Sequence, residues 1–252
     1  MIVQDLQHGI DPARFARECL GIPLDPWQEQ VLRSTHKRQL LNCCRQSGKS
    51  TTAAIMALHR ALYWPAALVL LVSPSLRQSG ELFRTIMGYF DQLPHKPISM
   101  EENRLSLKLQ NGSRIVSLPG KEETIRGFSG ASIIIEDEAA RVPDDLYYAI
   151  RPMLAVSGGR LVLMSTPFGK RGHFFEAWSN APEWEKVMIP APQCPRITPE
   201  FLEEERRALG EWWWRQEYMC EFTETIDQVF SYDLVMSAIS NEVKPLFSGG
   251  LI

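Results

Sequence analysis

The stretch LLNCCRQSGKS, residues 40–50, constrains the fold more than any other part of the chain. It begins with an apolar run typical of a buried strand, breaks into a short polar loop, and continues from Lys49 into a helical pattern. A strand, a tight glycine-containing loop, Lys-Ser and a helix form a phosphate-binding loop, in which backbone N–H groups and the helix dipole attract an anion. The consensus places a further glycine where Cys43 stands, so the match is partial and needs a second motif.

The loop predicts a set of nucleotide-binding residues. Lys49 reaches the outer phosphates and takes part in catalysis, and the Ser50 hydroxyl ligates Mg²⁺. The residues predicted to surround the phosphates are Gln46, Ser47, Gly48, Lys49, Ser50 and Thr51.

Composition limits the class of protein. With 252 residues, 44% of them hydrophobic, the chain can form one large domain or one domain with an appendage. A net charge of −3 gives no overall basic field, so contact with nucleic acid would need a local patch or an assembly of copies. The five cysteines are odd in number and scattered, which favours reduced intracellular thiols. No signal peptide or membrane span is indicated, and we expect a soluble protein.

Strand and helix patterns alternate along most of the chain. Asp11-Pro12 and Asp25-Pro26 are helix starts, the continuous apolar run at 67–73 predicts a strand covered on both faces, and the segments 132–136 and 160–164 predict further buried strands. Residues 104–118 alternate around Asn111-Gly112, which predicts an edge hairpin. The expected fold class is therefore α/β, with a mostly parallel central sheet flanked by helices.

A second motif lies at the end of the strand IIIED. Asp137 is predicted to hold the metal, and Glu138 to act as the general base that polarises the attacking water. The register can also be read one residue earlier, with Glu136 and Asp137 as the pair. We prefer Asp137 and Glu138 because two small residues follow them. The alternative is an acidic strand end that caps the next helix.

A third feature is Ser165-Thr166-Pro167, at the end of the strand RLVLM. A hydroxyl at a strand end beside a catalytic acid can sense the γ-phosphate and pass its loss to the next segment. The alternative is a simple strand-to-turn cap.

With RQSGKS, IIIEDEAA and STP in this order, the chain resembles the ATPase region of a terminase large subunit, a viral DNA-packaging motor. The resemblance implies a P-loop NTPase of the ASCE or RecA-like kind, with ATP and Mg²⁺ as cofactors. It makes Cys43 an accepted variant of the loop. It also implies that Arg45 contacts the nucleotide phosphates, that Gln28 helps recognise adenine, and that Ser165, Thr166 and Pro167 couple hydrolysis to movement.

The same resemblance implies partners. They are double-stranded DNA, the portal protein of the procapsid, the terminase small subunit and further copies of the chain in a ring, expected to be a pentamer on the portal. The expected location is the host cell cytoplasm during virion assembly. In such a ring a neighbour supplies an arginine to the site. Arg126 is the first choice and Arg141 the second, against the alternative of solvated surface arginines.

The resemblance also predicts the domain organisation. Residues 1–192 are expected to form the ATPase core, and residues 193–252 a small helical lid or linker that ends where a nuclease domain would begin. Nuclease activity is accordingly not expected. Three consecutive tryptophans, Trp212, Trp213 and Trp214, cannot all face one side of a helix. Core packing of the appendage is the favoured interpretation, and contact with a neighbour or another domain is the alternative.

Two functions are alternatives to ATP-driven packaging, and the sequence disfavours both. A helicase-type ATPase would need a second RecA-like lobe with its own arginine, and one set of motifs in 252 residues leaves no room for it. A nucleotide-switched scaffold would bind without turnover, which the presence of Lys49, Asp137 and Glu138 argues against.

Overall fold

The central feature of the computed structural model, which describes residues 2–118, 127–224, 230 and 232–239, is an eight-stranded sheet. The strands among these residues are β1 (Arg38–Cys43), β2 (Leu68–Val72), β3 (Ser99–Asn103), β4 (Ser106–Leu109), β5 (Arg114–Leu118), β6 (Ile133–Asp137), β7 (Arg160–Ser165) and β8 (Glu185–Ile189). Their order across the sheet is β3-β4-β5-β2-β6-β7-β1-β8.

Most neighbouring strands in this sheet are parallel. β5, β2, β6, β7, β1 and β8 pair in parallel, and only the β3–β4 and β4–β5 pairs are antiparallel. The carboxyl ends of β1, β6 and β7 therefore meet at one edge of the sheet, which we call the carboxyl edge. This arrangement places the three sequence motifs on adjacent strands.

Helices cover both faces of the sheet. They are α1 (Ile2–Ile10), α2 (Pro12–Leu20), α3 (Pro26–Arg33), α4 (Lys49–Tyr63), α5 (Leu76–Asp91), α6 (Asp144–Ile150), α7 (Gly172–Asn180), α8 (Pro199–Glu217) and α9 (Tyr232–Ala238). Three short 3₁₀ helices are Ala139–Arg141, Arg151–Leu154 and Ala191–Gln193. None of the helices in the described part of the chain is long and apolar enough to cross a membrane.

Side chains of the buried strands alternate between two apolar cores. Ile133 and Ile135 of β6 join the core beneath α2, α3, α4 and α5, whereas Ile134 joins the core beneath α6 and α7. The sequence pattern of continuous apolar strands is explained by this two-sided burial.

The predicted helix starts and hairpin are confirmed. Asp11 accepts hydrogen bonds from the first turn of α2, and Asp25 forms a capping box with Gln28. The chain reverses between β4 and β5 at Gly112, which has a φ of +83°. The structure adds three elements that were not predicted, helix α1, helix α9 and the outermost strand β3. Strand β3 carries exposed, polar residues, which is typical of a protected sheet edge.

The segment after β8 packs against the end of β1. The Asn42 side chain donates a hydrogen bond to the Cys220 carbonyl oxygen (2.8 Å), and the buried Cys194 and Tyr218 join the core on the α2–α5 face. Helix α8 contains a kink at Gly210, with φ +77° and ψ 162°, so two helical segments meet there as the sequence pattern indicated.

The three tryptophans follow that kink. Trp214 packs on the core, Trp213 is 41% exposed, and Trp212 donates its indole N–H to the Glu224 carbonyl oxygen. Core packing thus accounts for part of the cluster.

Candidate active site

The phosphate-binding loop connects β1 to α4 at the carboxyl edge. Gln46 and Gly48 have positive φ values of 59° and 95°, which turn the chain sharply before Lys49 begins the helix. A Cβ atom at Gly48 would lie 2.9 Å from the Gln28 Nε2 atom, so a side chain here would displace the end of Gln28 as well as strain the backbone. Cys43, in the place of the consensus glycine, is the buried last residue of β1.

The predicted loop residues differ in exposure. Lys49 and Ser47 are buried, Gly48 and Thr51 are half-buried, and Gln46 and Ser50 are exposed. The Ser50 hydroxyl on the first turn of α4 is thus accessible to a ligand, whereas the Ser47 hydroxyl has no partner among the described residues.

The two predicted acids lie beside this loop. Glu138 Oε1 is 3.4 Å from Lys49 Nζ, and the Asp137 carboxylate accepts a hydrogen bond from the Glu138 backbone N–H (3.0 Å). Glu138 has a φ of +53°, an unusual conformation for a residue other than glycine. Burial, and then the neighbouring Glu138 carboxylate, raise the pKa of Asp137 to about 6. Two carboxylates and the loop lysine therefore share one site.

The side chain of Glu136, the first acid of the alternative register, contacts His173 and not Lys49. Its side chain is fully buried, and its Oε1 atom is 2.8 Å from His173 Nε2. Asp137 and Glu138, by contrast, adjoin Lys49. Their assignment to metal binding and to water activation stays a prediction.

An ion-pair network extends from the acids to helix α8. Arg141 donates to Glu138 Oε2 (3.0 Å) and to Glu217 Oε1 (2.9 Å), and Glu217 Oε2 accepts from Arg45 Nε (2.9 Å). The Arg45 backbone N–H also donates to the Glu217 carbonyl oxygen (3.2 Å). Both cationic residues predicted in the loop, Arg45 and Lys49, thus have carboxylate partners within the chain.

The sequence did not indicate Glu217 as a site residue, and it did not indicate that Arg141 contacts Glu138 of its own chain. Glu217 is 8% exposed at the end of α8, directly after the buried Gln216, and nothing in the local sequence pattern indicates a role at the nucleotide site. Arg141, considered as an arginine supplied to a neighbour, is engaged with its own chain's Glu138. Arg126, the first choice for that role, lies outside the described residues.

The STP segment adjoins the same network. Ser165 is the buried last residue of β7, and the Thr166 hydroxyl oxygen accepts a hydrogen bond from Arg141 Nη1 (3.1 Å). Pro167 is also buried. Arg141 therefore connects the acid Glu138 to the segment predicted to couple hydrolysis to movement.

Gln28 supports the phosphate-binding loop from the side. It is 2% exposed, and its Nε2 donates to the Gly48 carbonyl oxygen (3.2 Å) and to the Thr52 hydroxyl (3.0 Å). Arg196, which the sequence reasoning did not select, donates to the Ser47 carbonyl oxygen (2.7 Å) and to Asp25. The contact of Gln28 with the phosphate-binding loop was not predicted, and its contribution to adenine recognition stays a prediction.

The donor set fits a magnesium ion. Mg²⁺ is bound through one or two carboxylates together with phosphate oxygens and water, and it prefers hard oxygen ligands. The exposed Ser50 hydroxyl and the Asp137 carboxylate supply such oxygens. The raised pKa of Asp137 indicates a carboxylate whose charge lacks full compensation, which a cation would provide.

A parallel sheet with a phosphate-binding loop after β1 and an acidic strand end after β6 defines a P-loop NTPase, as predicted. Residues 40–236 match the family described as terminase large subunit, T4likevirus-type, N-terminal. The chain therefore belongs to the terminase large subunit family, and the resemblance stated from the motifs is confirmed.

Individual relatives agree with this assignment. The chain is 28% identical over 250 residues to the large subunit of the terminase of Thermus phage G20c, with 85% of this chain and 52% of the relative covered. The chain thus spans about half the length of the curated relatives it matches.

Solved structures share the fold. The ATPase domain of the Thermus phage P74-26 large terminase has a TM-score of 0.71 and 24% identity, covering 82% of this chain and 97% of that chain. The large terminase of another thermophilic bacteriophage, in complex with ATP-gamma-S, has a TM-score of 0.57 and 12% identity, covering 86% of this chain and 52% of that chain. Both likenesses confirm the predicted α/β fold class.

Proposed function

We propose that this chain hydrolyses ATP to drive the translocation of double-stranded viral DNA into a procapsid, as the ATPase part of a terminase large subunit. The observation that supports the proposal most is the convergence of Lys49, Glu138 and Thr166, from three separate sequence motifs, at one edge of the sheet. Membership of the terminase family supplies the biological setting.

The chemistry assigned to each residue follows from its position. Lys49 and the backbone N–H groups of the loop bind the phosphates, and Arg45 adds a second cation once it leaves Glu217. Glu138 accepts the proton of the attacking water, and Lys49 and Arg141 hold its carboxylate in place. When bound by Ser50 and Asp137, Mg²⁺ supplies charge neutralisation at the phosphates.

Substitution of the base tests the reaction. Glu138→Gln should bind ATP with a dissociation constant within about threefold of the wild type and lose hydrolysis by about 100-fold or more, since a general base contributes about 10²–10⁴ in rate. Nucleotide titration and steady-state phosphate release measure the two quantities. Loss of binding together with hydrolysis would reject the assignment of Glu138 as the base.

The same assay separates the competing functions. A nucleotide-switched scaffold would bind ATP and show no turnover at any protein concentration. A ring that completes its site with a neighbour's arginine would show a turnover rate that rises more steeply than the protein concentration.

The ring itself is part of the proposal. We assign Arg126, or alternatively Arg141, as the arginine that one subunit gives to the next, in a ring expected to be a pentamer on the portal. Arg126→Ala should bind ATP and fail to hydrolyse it, and mixing this variant with Glu138→Gln should restore some activity. No restoration would reject Arg126 as a residue acting between subunits.

The portal protein and the terminase small subunit are the further partners proposed, with the host cell cytoplasm as the place of assembly. We also propose the division into an ATPase core (1–192) and a helical lid or linker (193–252). The contacts of Arg45 with Glu217 and of Asn42 with Cys220 support communication between the two parts. The proposal assigns no nuclease activity to this stretch of chain.

A further inference from the structure

A buried histidine lies between two carboxylates just behind the candidate active site. His173 Nε2 is 2.8 Å from Glu136 Oε1, and His173 Nδ1 is 3.0 Å from Asp144 Oδ1. The same Asp144 oxygen accepts the His173 backbone N–H (2.8 Å). Both ring nitrogens are therefore fixed by acids that come from different elements of the fold.

The imidazole and one of its two acids are closed to solvent. The His173 side chain is 2% exposed, the Glu136 side chain is fully buried, and the Tyr147 ring stacks on the imidazole at 4.2 Å. Burial opposes the imidazolium form, but the hydrogen bonds that the ring donates to Glu136 and then to Asp144 outweigh it and raise the pKa of His173. The ring therefore connects one fully buried acid to one partly exposed acid.

The two acids lie on either side of the predicted base. Glu136 precedes Asp137 on β6, and Asp144 is the first residue of α6, which follows Glu138 after a short 3₁₀ segment. His173 lies in the first turn of α7, a short loop after the STP segment. One side chain thus joins both flanks of the Glu138 segment to the helix that follows the coupling segment.

We propose that His173 is a positioning residue for ATP hydrolysis, which fixes the Glu138 segment and links it to the coupling segment through α7. The inference rests on the function proposed above. Glu138 has a strained backbone conformation, which persists only where the surrounding structure holds it. Displacement of a catalytic group by about 1 Å can cost about 100-fold in rate. Movement of the Ser165–Pro167 segment would pull α7 and, through His173, shift both flanks of the base.

The first test compares two buried histidines. His173→Gln can retain only part of the bridge, and we expect kcat to fall about tenfold or more while the dissociation constant for ATP stays within about twofold. His59→Gln is the matched control, since His59 is also buried and its Nε2 lies 2.8 Å from the His8 carbonyl oxygen, far from the acids. The control should lose stability to a similar extent and keep its kcat.

A second pair of variants covers the case in which His173→Gln does not fold. The Asp144 side chain is 47% exposed, so its substitution should disturb the fold less than substitution of the buried His173. Asp144→Ala removes both bonds to His173 and should lower kcat, whereas Asp144→Asn keeps the accepting oxygen and should restore it. Thermal unfolding measures whether all four variants are folded.

Several results would overturn the proposal. They are a kcat within twofold of the wild type for both His173→Gln and Asp144→Ala, an equal loss of kcat in His59→Gln, or an ATP affinity that falls in parallel with kcat. If the wild type itself shows no turnover, the proposed function fails instead. In that case nucleotide binding tests the role of His173. His173→Gln should weaken the complex of ADP with aluminium fluoride, which imitates the transition state, and should leave the binding of ADP alone unchanged.

Discussion

The two edges of the central sheet contain charged residues in opposite settings. At the carboxyl edge, Lys49 and Arg141 are paired with Glu138, and the cations and acids form a connected network. At the opposite edge, which we call the amino edge, Arg60 and Arg160 line a cavity of about 180 Å³. Neither of these two arginines forms an ion pair within the described part of the chain.

The amino edge satisfies its cations by other means. The Arg60 guanidinium lies 4.3 Å from the centre of the Trp64 indole, and Arg160 donates to the Ser34 carbonyl oxygen. Beside them His59 packs among aromatic rings, and its ring nitrogen Nε2 lies 2.8 Å from the His8 carbonyl oxygen. Burial lowers the pKa of His59 to about 4.

This difference separates a binding edge from a packing edge. Arg45, whose side chain is 65% exposed, can exchange Glu217 for a phosphate, because both groups accept charge-assisted hydrogen bonds from a guanidinium. A neutral histidine and stacked guanidinium groups stabilise the fold as they are. Perturbation at the carboxyl edge should therefore change ligand binding, and perturbation at the amino edge should change stability.

The largest expected effect is at the carboxyl edge. Lys49→Ala removes the cation that the loop presents to the phosphates, and we expect nucleotide affinity to fall by about 100-fold, or about 3 kcal/mol. The midpoint of unfolding should change little, since Glu138 loses a partner but retains Arg141. Titration with a fluorescent nucleotide and thermal unfolding measure the two effects.

Lys186→Ala is the control for this prediction, since Lys186 is an exposed lysine on β8. Its nucleotide affinity should equal that of the wild type. Unchanged affinity in Lys49→Ala would remove the distinction between the two edges.

The residues that sequence could place are those with local signals. Gly48 and the turn at Gly112 need backbone conformations that few other residues adopt, and the acids after β6 stand out against an apolar strand. These signals act over a few residues, so the order of elements and the position of the motifs follow from them.

Residues defined by long-range contacts could not be found in this way. Glu217 is separated from Arg45 by 172 positions, and His173 from Glu136 by 37. Their neighbours in sequence are ordinary helical residues, and only the folded sheet brings the partners together. Strand β3 was missed for a related reason, because its exposed, polar residues lack the apolar alternation that marks a strand.

The second-largest expected effect is a loss of folding stability at low pH, caused by His59 at the amino edge. The folded-state pKa of His59, about 4, lies below the ordinary value of 6.5, so protonation favours the unfolded chain. The stability it contributes is fully present above pH 6.5 and is lost as the pH falls toward 4. Between pH 6.5 and pH 5 the loss should reach about 2 kcal/mol.

Denaturant unfolding of wild type and His59→Gln across this range isolates the effect, because other titrating groups cancel in the difference. The free-energy difference between the two proteins should depend on pH. His36→Gln, at an exposed histidine, is the control. The same slope in both variants would contradict the prediction.

The smallest expected effect is a change in nucleotide affinity on substitution of Glu217, the residue of helix α8 that joins the ion-pair network of the carboxyl edge. Glu217→Gln removes a negative charge that competes with phosphate for Arg45 and Arg141, so nucleotide affinity should increase. The gain should be about fivefold, or about 1 kcal/mol, because Arg45 is 65% exposed and the pair is partly screened by solvent. The titration used for Lys49→Ala measures it.

Glu221→Gln makes the same change of charge close by in the chain, at a residue paired with the exposed Arg215, and should leave affinity unchanged. Raising the salt concentration should reduce the effect of Glu217→Gln, since screening weakens the competition between carboxylate and phosphate for the same cation. If Glu217→Gln weakened binding instead, Glu217 would act by holding Arg45 in its binding position. The carboxyl edge would then be a preformed site, and the exchange of partners that distinguishes it from the amino edge would not occur.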